Sequence, residues 1–195
     1  MTKLAMERKD QKICAYIEYL KLWNAKLNLV SRETLDDVYN RHILDCMQIS
    51  RYLKKDYCII DVGSGAGLPG VILSILGYHH VLLCEQNFKK CVFLHDMKVQ
   101  LGLDYDIYNG DIYDYYIISE ESCRVVLVAR AFASLSRLID VMTQLKVERG
   151  VFHKGEHYRS EIAEAQKLYD FKYEVKHSET NEQSVILIIN LVRRK

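Results

Sequence analysis

The stretch from residue 57 to residue 76 constrains the fold more than any other part of this sequence. Residues 57–60 form an apolar run that predicts a buried strand, and the run ends in an acid, Asp61. Glycines then follow at four of the next nine positions, and residues 71–76 are apolar in the manner of a buried helix. A strand, a glycine-rich loop and a helix form the first half of a nucleotide-binding βαβ unit.

The glycines alone do not identify a ligand for this loop. Gly65, Gly67 and Gly70 fit the dinucleotide pattern G-x-G-x-x-G, so a dinucleotide is one interpretation. A tight connection between strand and helix that binds nothing is another. The glycines alone are compatible with both of these interpretations.

The acids beside the loop favour a cationic ligand. Asp61 stands two residues before Gly63, where it would repel a pyrophosphate but attract the sulfonium and ammonium groups of S-adenosylmethionine. The strand predicted at residues 80–84 ends in Glu85, about 20 residues after the loop, where an acid holds ribose hydroxyls in such folds. We therefore predict S-adenosylmethionine as the cofactor, with Gly63, Gly65 and Glu85 at its site.

Length and charge limit what the chain can be. Its 195 residues suffice for one domain with a full core and are too few for two comfortable ones. A net charge of +1 argues against a protein that coats nucleic acid indiscriminately, but a local patch could still bind RNA. No apolar run reaches transmembrane length and the first residues begin no signal peptide, so we expect a cytoplasmic protein without membrane contact.

The cysteines and histidines do not indicate a metal site. No C-x-x-C pair occurs, and we expect free, mostly buried thiols rather than disulfides or zinc ligands. The cysteines are Cys14, Cys46, Cys58, Cys84, Cys91 and Cys123. His153 and His157 are four residues apart, but Gly155 stands between them and no third ligand is evident.

The first 55 residues are predicted to be helical. Apolar residues between positions 13 and 27 recur with the period of a helix that buries one face. A second helix is expected to begin at Ser31 or Thr34. One interpretation of Arg41 and Asp45 is an exposed ion pair on this helix, because residues four apart are neighbours on a helix surface.

After the glycine loop, strands and helices alternate, which predicts a mostly parallel sheet covered on both faces. Further strands are expected at residues 105–108, 125–128, 150–153, 171–176 and 184–191, and helices at 88–101, 134–145 and 161–169. The last two strands follow each other across a polar turn, so we expect them to be antiparallel.

Residues at the carboxyl ends of the strands are candidates for ligand contacts. Ile112 and Tyr113 follow the third strand, where such folds hold the adenine, although an ordinary turn is an equal alternative. Arg130 follows the fourth strand, and its guanidinium could bind a carboxylate or a phosphate with two hydrogen bonds.

The single proline, Pro69, restricts the methyl acceptor. Enzymes that methylate exocyclic amines commonly carry an Asn-Pro-Pro-Tyr or Asp-Pro-Pro-Tyr loop after the fourth strand, and cytosine-C5 enzymes commonly carry a Pro-Cys nucleophile. Neither motif can occur here. Guanine N7 requires neither, because its lone pair is already nucleophilic and the nitrogen loses no proton.

Together these features resemble one family, the bacterial 16S rRNA guanine-N7 methyltransferases known as RsmG or GidB. The resemblance covers nearly the whole chain and includes the glycine loop with its Pro69-Gly70 ending. The other matching segments are Trp23-Asn24, Asn28-Leu29-Val30-Ser31, Arg41-His42-Ile43-Leu44-Asp45-Cys46, Arg130-Ala131-Phe132-Ala133-Ser134-Leu135 and Lys154-Gly155. Cys46 stands where the family has serine, and Ala129 stands where serine usually precedes the arginine motif.

The resemblance implies a substrate and a set of contacts. The implied substrate is a guanine in the decoding-region loop of 16S rRNA on the small ribosomal subunit. The implied donor contacts are Gly63, Leu68, Ile112, Tyr113 and Arg130, and the implied RNA-facing residues are Arg41, His42 and Lys154. The family usually has an acid at the position of Tyr113, so we expect that contact to run through the backbone.

We therefore predict one class I S-adenosylmethionine-dependent methyltransferase domain. Residues 1–55 form its N-terminal helices, and residues 56–195 form a Rossmann-like core with a seven-stranded, mostly parallel sheet. The predicted protein is a monomer without metal. Two alternatives remain: a methyltransferase of tRNA or of a small molecule, and an rRNA-binding assembly factor that keeps the cofactor pocket without activity.

Overall fold

A seven-stranded sheet with helices on both faces forms the architecture, in a computed structural model that describes residues 3–116 and 124–195. The strands are β1 (Tyr57–Val62), β2 (Val81–Glu85), β3 (Asp106–Asn109), β4 (Arg124–Arg130), β5 (Arg149–Lys154), β6 (Tyr169–His177) and β7 (Val185–Arg194). The α-helices are α1 (Lys3–Asn24), α2 (Asp45–Gln48), α3 (Gly70–Ile75), α4 (Phe88–Gln100), α5 (Leu135–Gln144) and α6 (Tyr158–Leu168).

The strand order creates a crevice at one edge of the sheet. The order is β3-β2-β1-β4-β5-β7-β6, with β1 to β5 parallel and β7 antiparallel to both of its neighbours. The chain winds outward from β1 in one direction and from β4 in the other. Ligands of such sheets bind where the carboxyl ends of the two diverging strands meet. The predicted mostly parallel sheet and antiparallel final pair are confirmed.

Two apolar cores lie on the two faces of the sheet. Ile59 and Val126 point to the face covered by α1, α3 and α4, and Ile60 and Leu127 point to the face covered by α5 and α6. Successive residues of a strand face opposite sides, so a strand that is buried on both sides reads as one continuous apolar run. No helix within residues 3–116 and 124–195 is long and apolar enough to cross a membrane.

The segment after α1 differs from the predicted continuous second helix. It consists of a 3₁₀ turn (Arg32–Thr34), a π-helix (Tyr39–Leu44), α2 and a second 3₁₀ turn (Ile49–Tyr52). His42, Asp45 and Gln48 are buried on this irregular segment. Apolar periodicity could not predict the segment, because polar residues occupy much of the face that turns inward.

The interpretation of Arg41 and Asp45 as an exposed ion pair is wrong. Oδ2 of Asp45 lies 2.9 Å from Nε of Arg130, and the Asp45 side chain is only 11% exposed. Arg41 is exposed, and its backbone carbonyl accepts a hydrogen bond from Nη2 of Arg130 at 3.0 Å. The acid therefore turns away from its helical neighbour towards the end of β4.

The prediction of free, mostly buried cysteine thiols is correct for some of the cysteines and wrong for others. The cysteines that are both free and buried are Cys46, Cys84 and Cys91. Cys14 is free but exposed, and Cys58 is disulfide-bonded, so the prediction of a free thiol is wrong for Cys58. Cys123 lies outside the described residues. Pairing between distant cysteines depends on tertiary proximity, which the spacing along the chain does not reveal.

Helix α1 supports the glycine loop from behind. The side chain of Tyr16 is fully buried, and its hydroxyl donates to the backbone carbonyl of Ala66, 2.7 Å away. Near the end of the helix, Nε1 of Trp23 donates to Oδ2 of Asp96 on α4 at 3.1 Å. The N-terminal extension is thereby joined to the parts of the core that shape the loop.

We expect Tyr16→Phe to lower the free energy of unfolding by about 1–3 kcal/mol, because it leaves the buried carbonyl of Ala66 without a donor. Tyr19→Phe is the matched control on the same helix, since the Tyr19 hydroxyl bonds Oε1 of Gln100 at an exposed position. Its expected effect is within about 0.5 kcal/mol. Urea denaturation of both variants measures the difference, and equal losses would show that the Tyr16 bond does not support the loop.

Candidate active site

A cavity of about 250 Å³ opens where β1, β2 and β4 end, and we call it the glycine-loop cavity. Its lining residues come from the glycine loop, the end of β2, the start of α4, the turn after β3 and the turn after β4. They are Val62, Gly63, Cys84, Glu85, Gln86, Lys90, Gly110, Ile112, Ala131 and Phe132. The cavity thus lies at the sheet edge that the βαβ pattern predicts.

Gly63 is the tightest point of the loop. Its φ of +69° lies in the left-handed region, and a Cβ built on it would collide with the ring of Phe132. Gly65 is also left-handed at φ +57°, a Cβ there would make an ordinary contact with the carbonyl of Gly63 at 3.8 Å, and its amide donates to Oε2 of Glu85 at 2.9 Å. Leu68 is buried and lines neither this cavity nor the one described below.

Glu85 connects the loop to the end of β2. Its carboxylate accepts from the amide of Gly65 and, through Oε1, from the amide of Asn87 at 2.8 Å. Each carboxylate oxygen has capacity for a further hydrogen bond, because a carboxylate offers about four acceptor positions. The arrangement suits the predicted role of Glu85 towards ribose hydroxyls.

Asp61 lies beneath the cavity rather than in its wall. It is fully buried, and its Oδ2 accepts from the amide of Gly70 at 2.9 Å, where α3 begins. Its Oδ1 is buried and has no hydrogen-bond partner among the described residues. Burial raises the pKa of Asp61 to about 7. Within the described structure, the carboxylate therefore shapes the loop through Gly70.

The turn after β3 contributes Ile112 but not Tyr113 to the cavity. Ile112 is buried in the lining. The amide of Tyr113 donates to Oδ1 of Asp111 at 3.0 Å, and its hydroxyl donates to Oδ2 of Asp140 on α5 at 3.2 Å. Tyr113 therefore fixes the turn against α5 from outside the cavity.

A second cavity of about 710 Å³ adjoins the first, and we call it the arginine cavity. It lies between the N-terminal extension, the ends of β4 and β5, and the turn before β7. Its lining residues are Leu29, Val30, Ser31, His42, Asp45, Ala129, Arg130, Ala131, Phe132, Ala133, Leu138, His153, Lys154, Gly155, Glu161 and Ser184. Ala131 and Phe132 belong to both cavities and form their shared wall.

Asp45 and Arg130 form the centre of the arginine cavity. Besides the bond to Arg130, Oδ1 of Asp45 accepts from the hydroxyl of Thr180 at 3.1 Å, and its backbone carbonyl lies 2.8 Å from Nε2 of His153. Arg130 uses Nε for Asp45 and Nη2 for the carbonyl of Arg41, and Nη1 takes part in neither bond. Arg130 lines this cavity and not the glycine-loop cavity.

Two buried histidines flank this pair as neutral groups. Nε2 of His42 shares a hydrogen bond with the hydroxyl of Thr34 at 2.7 Å. Burial and the nearby Arg130 lower the pKa of His42 to about 4. Burial also lowers the pKa of His153. His157 is 81% exposed, so it does not join His153, and no three candidate metal ligands meet within the described residues.

Lys154 is buried and already paired. Its ammonium lies 2.5 Å from Oε2 of Glu161 and donates to the carbonyl of Ala133 at 2.8 Å. The side chain is 6% exposed. Of the predicted RNA-facing residues, Arg41 is the one with an exposed side chain, whereas His42 and Lys154 form cavity walls.

Sequence reasoning did not place Asp45, Phe132, His153 and Glu161 at the candidate site, although the fold brings all four to the arginine cavity. Asp45 and Phe132 lie inside motifs that carried the family resemblance, so those motifs were the available signal. His153 could have been found from its position at the end of a buried strand, next to Arg130 in the sheet register. Glu161 had no comparable signal, because its partner Lys154 lies on another element.

The close approach at Gly63 gives a stability prediction. Gly63→Ala should lose about 1–3 kcal/mol more than Gly77→Ala, because it adds a clash with Phe132 to the strain of a left-handed residue. Gly77 has a φ of +89° but open space around it, so it carries the strain alone. Denaturation curves of both variants measure the excess. Equal losses would mean that the Phe132 ring moves aside without cost.

The buried carboxyl of Asp61 gives a pH prediction. Between pH 4 and 7 the folded chain holds a proton there that the unfolded chain has released, so the free energy of unfolding should fall as the pH rises through this window. Asp61→Asn keeps an acceptor for Gly70 and removes this titration. As the pH rises from 4 to 8, the parent should lose stability on the order of a few kcal/mol that the variant keeps. Parallel stability curves for the two proteins would contradict the prediction.

Comparison with known proteins agrees with the motifs. The family model described as GidB, rRNA small subunit methyltransferase G, matches residues 9–186. A protein named ribosomal RNA small subunit methyltransferase G from Rickettsia rickettsii (strain Sheila Smith) is 35% identical over 182 residues, covering 92% of this chain and 93% of the relative. The protein of the same name from Rickettsia bellii (strain OSU 85-389) is also 35% identical over 182 residues, covering 92% of each chain.

Solved structures show the same fold at low sequence identity. TrmK of M. capricolum in complex with S-adenosyl-homocysteine gives a TM-score of 0.56 at 12% identity, covering 74% of this chain and 66% of that one. TYW2 of M. jannaschii in complex with AdoMet gives a TM-score of 0.54 at 14% identity, covering 79% and 76%. The predicted Rossmann-like fold of class I methyltransferases is confirmed. The length and identity of the family matches lead to one conclusion: this chain belongs to the GidB family, described as rRNA small subunit methyltransferase G.

Proposed function

We propose that this protein transfers a methyl group from S-adenosylmethionine to N7 of a guanine in the decoding-region loop of 16S rRNA. The observation that carries the proposal is the family match over residues 9–186, which includes every element that lines the two cavities. The substrate named by the family description is small-subunit rRNA, and the sequence lacks the proline motifs of enzymes that methylate exocyclic amines or cytosine C5.

The residues that line the glycine-loop cavity suit parts of S-adenosylmethionine, which supplies an activated methyl group on a cationic sulfur. Glu85 offers acceptor capacity for ribose hydroxyls, and the bare Cα of Gly63 lets the ring of Phe132 pack against the loop at the cavity wall, where a side chain would collide with it. Ile112 offers an apolar surface for the adenine. These features together support the donor site.

We propose the donor contacts Gly63, Gly65, Leu68, Glu85, Ile112 and Arg130, and we propose Tyr113 as a residue that positions this site. Gly65 and Leu68 act through the loop backbone, and Tyr113 acts by fixing the turn that carries Ile112. Arg130 lies in the arginine cavity, and its Nη1 group takes part in neither of the two bonds described above. We propose that Nη1 binds an anionic group of the donor near the shared wall.

The arginine cavity is the proposed place of the target base. It adjoins the glycine-loop cavity at Ala131 and Phe132, so a base there would meet a methyl group presented from the neighbouring cavity. The chemistry needs alignment and no general base, because N7 loses no proton. The neutral state of His42 and His153 is compatible with a wall that orients a base rather than one that removes a proton.

The proposed RNA face surrounds the mouth of the arginine cavity. Arg41 is an exposed cation whose backbone carbonyl accepts from Arg130, and its side chain can pair with a phosphate. His42 and Lys154 support the face from within, since both side chains already hold partners on neighbouring elements. We further propose that residues 1–55 and 56–195 form one methyltransferase domain, and that the protein acts in the cytoplasm as a metal-free monomer on the small ribosomal subunit.

The function is tested by incubating the purified protein and S-adenosylmethionine with small ribosomal subunits from cells that lack this modification. Mass spectrometry of the digested 16S rRNA should show one new 7-methylguanosine, and Glu85→Gln should reduce its yield at limiting donor. A reaction without donor is the control.

The same preparation separates the alternatives. Methylation of bulk tRNA in place of subunits would support a tRNA methyltransferase. Subunit binding without any methylated product would support an assembly factor. 5-Methylcytidine or N6-methyladenosine as the main product would contradict the exclusion drawn from the single proline.

A further inference from the structure

Phe132 stands at the boundary between the two cavities. It is half-buried, and with Ala131 it lines both cavities. One edge of the ring packs on the Cα of Gly63, and the guanidinium carbon of Arg137 lies 5.5 Å from the ring centroid. Gly63 and Arg137 thus contact two sides of the ring. The ring still forms part of the wall where donor and base would meet.

A strained turn holds the ring in this position. Ala131 has a φ of +54°, which is unfavourable for a residue with a Cβ. The turn at Ala131 lets the side chains of Arg130 and Phe132 point in different directions. Arg130 bonds Asp45, while Phe132 lies over Gly63. Strain of this kind persists where the surrounding contacts enforce it, and it concentrates at functional sites.

Methyl transfer to N7 moves one positive charge across this wall. The S–CH₃ bond breaks and its electron pair stays on sulfur, which becomes neutral. The N7 lone pair forms the new N–CH₃ bond, no proton leaves, and the purine becomes a cation. A group that attracts this charge stabilises the transition state more than the neutral base.

The carboxylates in the wall of the arginine cavity are already neutralised. Asp45 is paired with Arg130, and Glu161 is paired with Lys154. The aromatic face opposite Arg137 is a remaining source of negative potential, because the ring quadrupole attracts cations without itself carrying a charge. Phe132 is the aromatic residue that lines both cavities within the described part of the chain.

We propose that Phe132 is a catalytic residue that packs its aromatic face against the target guanine and stabilises the positive charge arriving on the purine. This inference rests on the proposed function, since it requires a purine that becomes cationic in the arginine cavity. It also explains why the loop has glycine at position 63, where any side chain would displace the ring.

A series of fluorinated phenylalanines at position 132 tests the inference, because fluorine weakens the quadrupole with little change in ring size. From one to three fluorines, the single-turnover rate of methylation on unmodified small subunits should fall stepwise, by about tenfold in total. In the absence of donor, the parent protein should bind subunits carrying 7-methylguanosine more tightly than unmodified ones, and the series should erase this preference. Phe132→Leu should be at least as slow as the trifluorinated protein.

Controls separate charge from packing. The same series at Phe171 on β6, which is half-buried and lines neither cavity, should leave both readouts unchanged. The affinity for S-adenosylhomocysteine and the melting temperature should stay constant across the fluorinated series, because fluorine changes the ring size little. A rate that is flat across the fluorinated series, even with a slow Phe132→Leu variant, overturns the charge-stabilising role. A parent protein that makes no 7-methylguanosine overturns the proposed function instead.

Discussion

The ion pair between Asp45 and Arg130 determines how the N-terminal extension meets the sheet. Asp45 belongs to α2 and Arg130 ends β4, and the hydroxyls of Ser178 and Thr180 approach the same carboxylate from the turn before β7. Burying two charges costs about as much as their attraction returns, so such a pair contributes little net stability but penalises every arrangement that separates it. Three distant segments are thereby fixed around one cavity.

The parts of the fold that depend on continuous patterns could be predicted from the sequence. The central strands β1, β2, β4 and β5 were apparent because parallel strands buried on both faces appear as uninterrupted apolar runs. The glycine loop followed because only glycine tolerates the left-handed, crowded backbone at Gly63. Glu85 could be anticipated because the sheet geometry fixes the distance along the chain between the loop and the next strand end.

The walls of the arginine cavity could not be predicted in the same way. Asp45 lies on a π-helical and α-helical segment whose inward face is polar, so no apolar period indicated its burial. Its partner follows it by 85 residues, and Lys154 lies on a different element from Glu161. The charge argument for a methyl donor began from Asp61, but the carboxylate of Asp61 bonds the start of α3 below the cavity. Of the two acids, Glu85 is the one in the cavity wall.

The wall formed by Ala131 and Phe132 has a thermodynamic consequence for the two ligands. A ligand in one cavity that shifts these residues also changes the wall of the other cavity, and the two occupancies then share a coupling free energy. Such coupling is reciprocal by necessity: a donor that tightens the hold on RNA is itself held more tightly by the RNA-bound protein. In the proposed reaction the positive charge leaves one cavity and enters the other, and this coupling changes in the same step. Under that proposal the wall links the departure of the spent donor to the release of the methylated RNA.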